Sequence, residues 1–124
     1  MNDPEVIMLA ASHSSEFLAQ SKAVEAAGIA LKLVVRVPAP LRSLADQVVR
    51  SASSVAANLA EGHGRSGRDR VHHWRIAYGS AKEVEVHLAL LARAGAVDSH
   101  RAEDALRLFD EVRAMTWRLL HPRG

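Results

Sequence analysis

The sequence contains no cysteine and very few aromatic residues. The absence of cysteine excludes disulfide bonds and thiolate metal sites. Aromatic residues form only 4% of the chain although hydrophobic residues form 48%, so alanine, leucine and valine carry the apolar volume. That composition favours helices packed closely on small side chains. With 124 residues, the chain is long enough for one domain with its own core.

Long hydrophobic runs are also absent. The longest apolar stretch, residues 26–31, is far too short to cross a bilayer. The N-terminal residues show no basic segment followed by an apolar run and a small-residue cleavage site. We therefore expect a cytoplasmic protein that does not contact a membrane.

The net charge is small, but the cations are unevenly distributed. Sixteen lysine and arginine residues against 14 acidic residues give a formal charge of +2. Residues 63–75 contain four arginines and one acid, and residues 113–124 contain three arginines and no acid. Such patches attract nucleic acid or another acidic partner. Solvation of helix ends is the alternative explanation for each patch.

Sustained period-two alternation and hairpin dipeptides are lacking, which argues against strands. Apolar residues instead recur at spacings of three and four. This periodicity predicts helices over about 14–37, 41–61, 68–94 and 98–120. Four long helices with short connections indicate an all-α, antiparallel up-down-up-down bundle over residues 14–121. Residues 1–13 are expected to be a flexible lead-in and residues 122–124 a tail.

Boundary residues support these helices. Ser14 or Ser15 is a suitable N-cap for the first helix, and Asp98 or Ser99 for the fourth. The segment Pro38-Ala39-Pro40 should end the first helix. Gly62 is predicted to be a left-handed C-cap of the second helix, and Gly95 to end the third.

Two helices have more apolar surface than one bundle seam requires. Between Lys22 and Arg36 the only charged residues are Glu25 and Lys32, so the first helix is apolar almost all round. The fourth helix also has apolar residues outside its main stripe. Large exposed apolar patches usually mark an interface, so we predict a homo-oligomer. The predicted interface residues are Ile29, Leu33, Val37, Leu106, Trp117 and Leu120.

Two motifs resemble those of a known protein family. The first is Arg50-x-Ala52-x-Ser54-Val55-x-x-Asn58-Leu59-Ala60-Glu61-Gly62, followed by Arg65. The second is Ala77-Tyr78-Gly79-Ser80-Ala81-x-Glu83-Val84-Glu85. In this order and spacing they resemble the four-helix-bundle proteins encoded by intervening sequences of bacterial 23S ribosomal RNA genes. The resemblance extends over about residues 17–97, and the fourth helix matches only in type.

This resemblance implies a small cytosolic antiparallel bundle that assembles into a ring, with five subunits expected. It also implies kinship with the accessory proteins of diversity-generating retroelements, which are basic rings that associate with a reverse transcriptase and nucleic acid. It brings no established catalytic activity. The chain departs from the family pattern at Val49, Ala56 and Ala96, where the family often has arginine, proline and tyrosine.

The motif residues have a structural interpretation. Asn58 and Glu61 are expected to bond to the facing helix or to loop backbone and so to define register, because an unpaired buried polar group costs ~1–3 kcal/mol. Arg50 could pair with Glu61 or Glu85. Gly79 and Ser80 would allow a neighbouring backbone to approach. The predicted structural residues are Asn58, Glu61, Gly62, Gly79, Ser80, Glu83 and Glu85.

The arginines have a functional interpretation as a phosphate-binding surface for RNA or a ribonucleoprotein. The predicted surface consists of Arg50, Arg65, Arg68, Arg70 and Arg75. Trp74, Tyr78 and Phe109 fall at predicted core positions, so no aromatic platform for stacking bases is expected and phosphate contacts would dominate. The alternative function is a protein–protein scaffold with no nucleic-acid role.

Catalytic and metal-binding patterns are missing. A di-iron bundle needs two Glu-x-x-His motifs, and no glutamate here has a histidine three positions later. The glycine-rich segment after Gly62 follows a helix and lacks the phosphate-loop lysine, and no nucleophile elbow occurs. We therefore predict no enzymatic activity, no metal, no cofactor and no small-molecule substrate.

Overall fold

The computed structural model describes residues 3–123, and it describes side chains at residue 3 and from residue 15 onward. Four α-helices span Pro4–Val34 (α1), Arg42–His63 (α2), Gly67–Arg93 (α3) and Ser99–Leu120 (α4), and a 3-10 helix spans Ala39–Leu41. Helix α1 packs against α2 and α4, and α3 packs against the same two helices. This cyclic neighbour pattern confirms the predicted up-down-up-down bundle.

The helix periodicity predicted the core well. The stripe predicted for α3 is buried at all six positions: Trp74, Ala77, Ala81, Val84, Leu88 and Leu91. The stripes predicted for α2 (Leu44, Val48, Ala52, Val55 and Leu59) and α4 (Ala102, Ala105, Phe109, Val112, Thr116 and Leu119) are also buried, except that Leu44 and Leu119 are partly exposed and pack against the core. The largest fully buried side chains come from these three helices: Leu59, Leu88, Leu91, Val48, Val55, Val84, Phe109 and Val112. In the described part of α1, the buried apolar residues are five alanines and Val34.

The first helix is longer at its start than predicted. It begins at Pro4, so the expected lead-in at residues 1–13 is wrong from Pro4 onward, and Ser14 and Ser15 lie inside the helix rather than at its N-cap. Proline suits the first helical position because its missing N–H would have no intrahelical acceptor there. Residues 1–2 of that lead-in and Gly124 of the tail lie outside the described residues.

The other helix ends agree with the prediction to within three residues, but one cap differs. Gly62 has no positive φ, and α2 continues to His63. Left-handed glycines occur instead at Gly67, with φ 61°, and at Gly95, with φ 73°. Gly95 ends α3 as predicted, and Asp98 caps α4 by accepting hydrogen bonds from the backbone N–H of His100 and Arg101.

Candidate nucleic-acid interface

The antiparallel topology brings both arginine-rich segments to one end of the bundle. The start of α3, which follows the end of α2, lies beside the last turns of α4 there. Arg75 and Tyr78 of α3 line a cleft together with Trp117, Leu120 and His121. We call this region, residues 60–75 and 113–123, the basic end. The opposite end is formed by the last turns of α1 and α3 and the first turns of α2 and α4.

Arg70 does not belong to an open phosphate-binding surface. Its Nε donates to the carbonyl of Gly62 at 3.0 Å, and its Nη2 donates to the carbonyl of His63 at 3.3 Å. These are carbonyls of the last turn of α2, where a cation is also favoured by the helix dipole. Its guanidinium lies over the ring of Trp74 at 5.4 Å from the centroid. Arg70 therefore has a structural position at the α2–α3 connection.

A buried carboxylate on α1 completes this arrangement. Glu16 is only 4% exposed, and its Oε1 lies 3.8 Å from Arg70 Nη1 and 3.6 Å from His63 Nδ1. Burial of a carboxylate is costly unless cations or donors surround it. Glu16, which the sequence interpretation missed, thus connects α1 to the α2–α3 connection.

The remaining predicted arginines differ in how far other side chains neutralise them. Arg65 lies 3.5 Å from Glu61 and 3.6 Å from Asp69, so two acids offset its charge. Arg68 and Arg75 are exposed, and no acidic side chain described by the structure lies within ion-pair distance of either. Arg50 is exposed near the middle of α2, away from the basic end.

An open cleft lies between α3 and the last turns of α4. Its volume is about 520 Å³, and we call it the Trp117 cleft. The lining residues are Tyr78, Arg113, Ala114, Trp117, Arg118, His121 and Arg123. Arg118 and Arg123 are exposed and have no ion pair with any side chain in the described part of the chain. The cleft therefore combines aromatic surface with unneutralised positive charge.

Arg113 lines this cleft and is held in place by two acidic side chains. Its Nε donates to Glu85 Oε2 at 2.8 Å, and its Nη2 also bonds to Asp110. Burial raises the pKa of Glu85 above its ordinary value, because the hydrogen bond from Arg113 offsets the loss of solvation only in part. The same hydrogen bond raises the pKa of Arg113 further. Glu85 thus pairs with Arg113 on α4. The sequence had suggested Arg50 as a partner of Glu85 instead.

The polar stripe of α2 connects it to α3. The amide nitrogen of Asn58 donates to the carbonyl of Ser54 at 2.9 Å, which directs its Oδ1 toward His73 Nδ1, also at 2.9 Å. Since Oδ1 can only accept, His73 carries its proton on Nδ1. Ser80 donates to the hydroxyl of Ser54 at 2.8 Å. Asn58 of α2 therefore bonds to His73 of the facing helix α3.

Other motif residues have roles different from those predicted. A Cβ at Gly62 would lie 2.4 Å from Trp74 Cδ1 and Nε1, so glycine allows the indole ring to lie against the α2 backbone. Gly79 faces open space: a Cβ added there would have no atom of a neighbouring helix within 4 Å, so no other backbone approaches it. Glu61 is exposed and pairs with Arg65 of the same segment, and Glu83 is exposed.

The predicted interface residues divide into packed and exposed groups. Val37 is 4% exposed and belongs to the core of the subunit, which removes it from the predicted surface. Ile29, Leu33, Leu106 and Leu120 are partly exposed and pack against the core. Trp117 is 48% exposed. The strongly exposed apolar residues in and just after the described part of α1 are others: Phe17, Leu18 and Val24 in the helix, and Val35 next to its end.

Sequence reasoning missed the aromatic character of the basic end. Tyr78 was expected in the core, but it is half-buried and lines the Trp117 cleft. The ring of His121 stacks on Trp117 with centroids 4.2 Å apart and planes at 23°. Their spacing of four residues, which places two side chains on one helix face, was the available signal. In the described part of the chain, no three metal-ligating side chains cluster and no helix has the length and apolarity of a membrane span.

Comparison with known proteins identifies the family. No curated protein matches the chain. A solved structure with the same fold is that of a protein of unknown function from the S23 ribosomal protein family of Bacteroides thetaiotaomicron VPI-5482. It is 22% identical, the match covers 86% of this chain and 97% of that chain, and the TM-score is 0.76, so the likeness concerns the fold alone. The sequence model of the 23S rRNA-intervening sequence protein family matches residues 16–118, and the chain therefore belongs to that family.

Proposed function

We propose that this protein is a non-enzymatic, self-assembling bundle that associates with RNA or a ribonucleoprotein through its basic end. The observation that carries the proposal is the convergence of arginines from two distant segments at one end of the bundle. Arg118 and Arg123 line the Trp117 cleft, and Arg75 lines an adjoining cleft that shares Tyr78, Trp117 and His121 with it. Arg68 is exposed in the first turn of α3 at the same end. Because no described acid neutralises them, their charges are free to meet phosphate groups.

The revised surface differs from the one predicted from the sequence. Arg70 is used within the fold and Arg65 is offset by two acids, whereas Arg118 and Arg123 join the surface. Arginine suits phosphate recognition because its planar fork presents paired donors.

Self-assembly is supported by the surface of α1. This helix buries Ala19, Ala23, Ala26 and Ala30 but exposes Phe17, Leu18 and Val24, so several of its larger apolar side chains point away from the core. Val35 is exposed just after the end of the helix. Next to them, Leu31, Val35 and Val49 line a groove of about 270 Å³. Apolar surface of this kind is normally covered by a partner. Repetition of the basic end in a ring would add avidity that one subunit lacks.

The test measures binding to a fluorescein-labelled RNA oligonucleotide as a function of salt. One variant removes three arginines of the basic end: Arg75→Ala, Arg118→Ala and Arg123→Ala. The matched control removes three exposed arginines outside the basic end and outside that groove: Arg93→Ala, Arg101→Ala and Arg107→Ala. We expect the wild-type affinity to fall steeply with salt. The first variant should bind about tenfold or more weakly, while the control binds nearly as tightly as the wild type. The slope of log affinity against log salt concentration should become shallower by about 1–3 in the first variant and stay nearly unchanged in the control.

Equal losses in both variants would show that net charge, not the basic end, governs binding. If no salt-sensitive binding occurs, the proposed function is wrong and the protein–protein scaffold becomes the better explanation. Kinship with retroelement accessory proteins, a five-subunit ring and a cytoplasmic location stay predictions from the sequence.

A further inference from the structure

We propose that Trp117 and His121 form a stacking platform for an unpaired nucleobase, so that the bundle prefers single strands to duplexes. This inference rests on the proposed function and names the form of nucleic acid that the basic end accepts. It concerns aromatic stacking, which the arginines alone do not provide.

The platform is already assembled in the free protein. The rings of Trp117 and His121 stack at 4.2 Å, and His121 Nδ1–H donates to the carbonyl of Trp117 at 2.9 Å. This hydrogen bond holds the imidazole next to the indole just beyond the end of α4. Trp117 is nevertheless 48% exposed, so part of its indole surface remains free for a further ring. Little conformational freedom would be lost when a base stacks there.

The surroundings of the platform suit a nucleotide. The Trp117 cleft, at about 520 Å³, lies within the range of roughly 300–1,000 Å³ typical of small-ligand pockets. Tyr78 lines the same cleft and presents a second aromatic side chain. Arg118 and Arg123 at its border are exposed and could meet the flanking phosphates. Bases in a duplex are stacked on one another and cannot enter such a cleft, whereas an unpaired base can.

The test compares three labelled oligonucleotides of equal length. They are a single-stranded adenine-containing strand, an abasic strand with the same number of phosphates, and a duplex. We expect the wild type to bind the adenine strand about 5- to 150-fold more tightly than the abasic strand. Trp117→Ala should abolish that difference while leaving the salt-dependent affinity for the abasic strand unchanged. Trp117→Phe should keep most of the difference, since phenylalanine retains an aromatic face.

Tryptophan fluorescence gives a second measurement. The chain has two tryptophans, and Trp74 is only 6% exposed, so quenching by the adenine strand should arise from Trp117 and vanish in Trp117→Phe. Equal wild-type affinity for adenine and abasic strands would overturn this inference but leave the proposed function standing. Failure of every strand to bind would overturn both. If Trp117→Ala lowers the oligomer mass instead of the base preference, Trp117 belongs to a subunit interface and the inference is wrong.

Discussion

Glycine is required at position 62 for a reason different from the one that its place in the sequence suggests. A glycine near a helix end usually supplies a left-handed cap, but Gly62 lies within α2 and has no positive φ. Its role is steric, because the ring of Trp74 occupies the space that a Cβ would need. The contact joins the last turn of α2 to the first turns of α3 at the basic end.

Replacement of this glycine should therefore destabilise the bundle. A Cβ in Gly62→Ala would lie 2.4 Å from a buried indole and 3.2 Å from the Arg70 carbonyl, so the ring or the backbone must shift. Overpacking of this kind costs about 1–3 kcal/mol. Urea unfolding followed by circular dichroism measures the change in the free energy of unfolding.

Gly79→Ala is the matched control. Gly79 lies in the interior of α3, and an added Cβ would point into open space. Alanine is a better helix former than glycine, so this variant should gain about 0.5–1 kcal/mol. Equal effects of the two substitutions would contradict the steric role of Gly62.

The role of Arg70 also differs from the one that its place in the sequence suggests. Its position among other arginines suggested a shared surface, yet its donors are directed to carbonyls of α2 and its plane lies over Trp74. The sequence shows the charges but not their partners. The carbonyls that Arg70 reaches lie across the short α2–α3 connection, whereas Glu16 comes from a distant segment.

At the scale of elements, the α3–α4 connection is specified by local chemistry. Left-handed Gly95 allows Ala96 N–H to donate to the carbonyl of Leu91 and Gly95 N–H to that of Ala92, each at 3.0 Å. This is a Schellman motif, which satisfies carbonyls at the helix end. Three residues later, Asp98 begins α4 by accepting two backbone hydrogen bonds. Both signals were readable from the sequence because each acts over a few residues.

The cap of α4 gives a prediction at this scale. Asp98→Ala removes the acceptor of the hydrogen bonds at 2.9 and 3.2 Å and should lower the free energy of unfolding by about 0.5–2 kcal/mol. Ser99→Ala, at the neighbouring exposed residue that was the alternative cap, should change it by less than about 0.5 kcal/mol. Thermal and urea unfolding of both variants provide the comparison. A larger effect at Ser99 would show that the cap is assigned to the wrong residue.

Helix α1 shows what periodicity does not reveal. Its apolar residues surround most of its circumference, so the sequence could not say which of them would be buried. In the described part of the helix, the structure buries five alanines and Val34 and exposes Phe17, Leu18 and Val24. Close packing of α1 on its neighbours requires the small side chains, since they allow the helices to approach closely. Val37 was consequently assigned to the surface, although it lies in the core.

At the scale of the whole molecule, the exposed side of α1 predicts assembly. The wild type should have a mass above the 13.4 kDa of one chain in analytical ultracentrifugation at micromolar concentration. Val24→Glu with Leu31→Glu places two charges on that side and should shift the protein toward monomer, because a charge buried without a partner is costly. A strict wild-type monomer would contradict the assembly.

The control for this prediction places the same charges on another helix. Val86 and Leu90 are exposed on α3, at 58% and 49% of their surface. Val86→Glu with Leu90→Glu should leave the mass unchanged. Dissociation by both pairs would indicate a general effect of added negative charge and not an interface at α1.

The bundle and most of its core could be predicted from residues alone. The stripes of α2, α3 and α4 follow the helix period, and Gly95 and Asp98 terminate or begin helices through contacts within a few residues. Asn58 could be predicted to bond across helices because a buried amide needs partners. Its particular partner, His73, could not, since the relative rotation of two helices depends on all their packed side chains.

The sequence by itself thus determined the fold class, the helix order, the family and the presence of two arginine-rich segments. These depend on local periodicity, turn chemistry and motif spacing. Only the tertiary structure decided that both segments meet at one end, that Arg70 serves the fold while Arg118 and Arg123 stay free, and that Trp117 and His121 form an exposed stack. The physical reason is that helix packing decides which face of each helix stays exposed and which groups each side chain reaches, and antiparallel packing places the two arginine-rich segments at the same end.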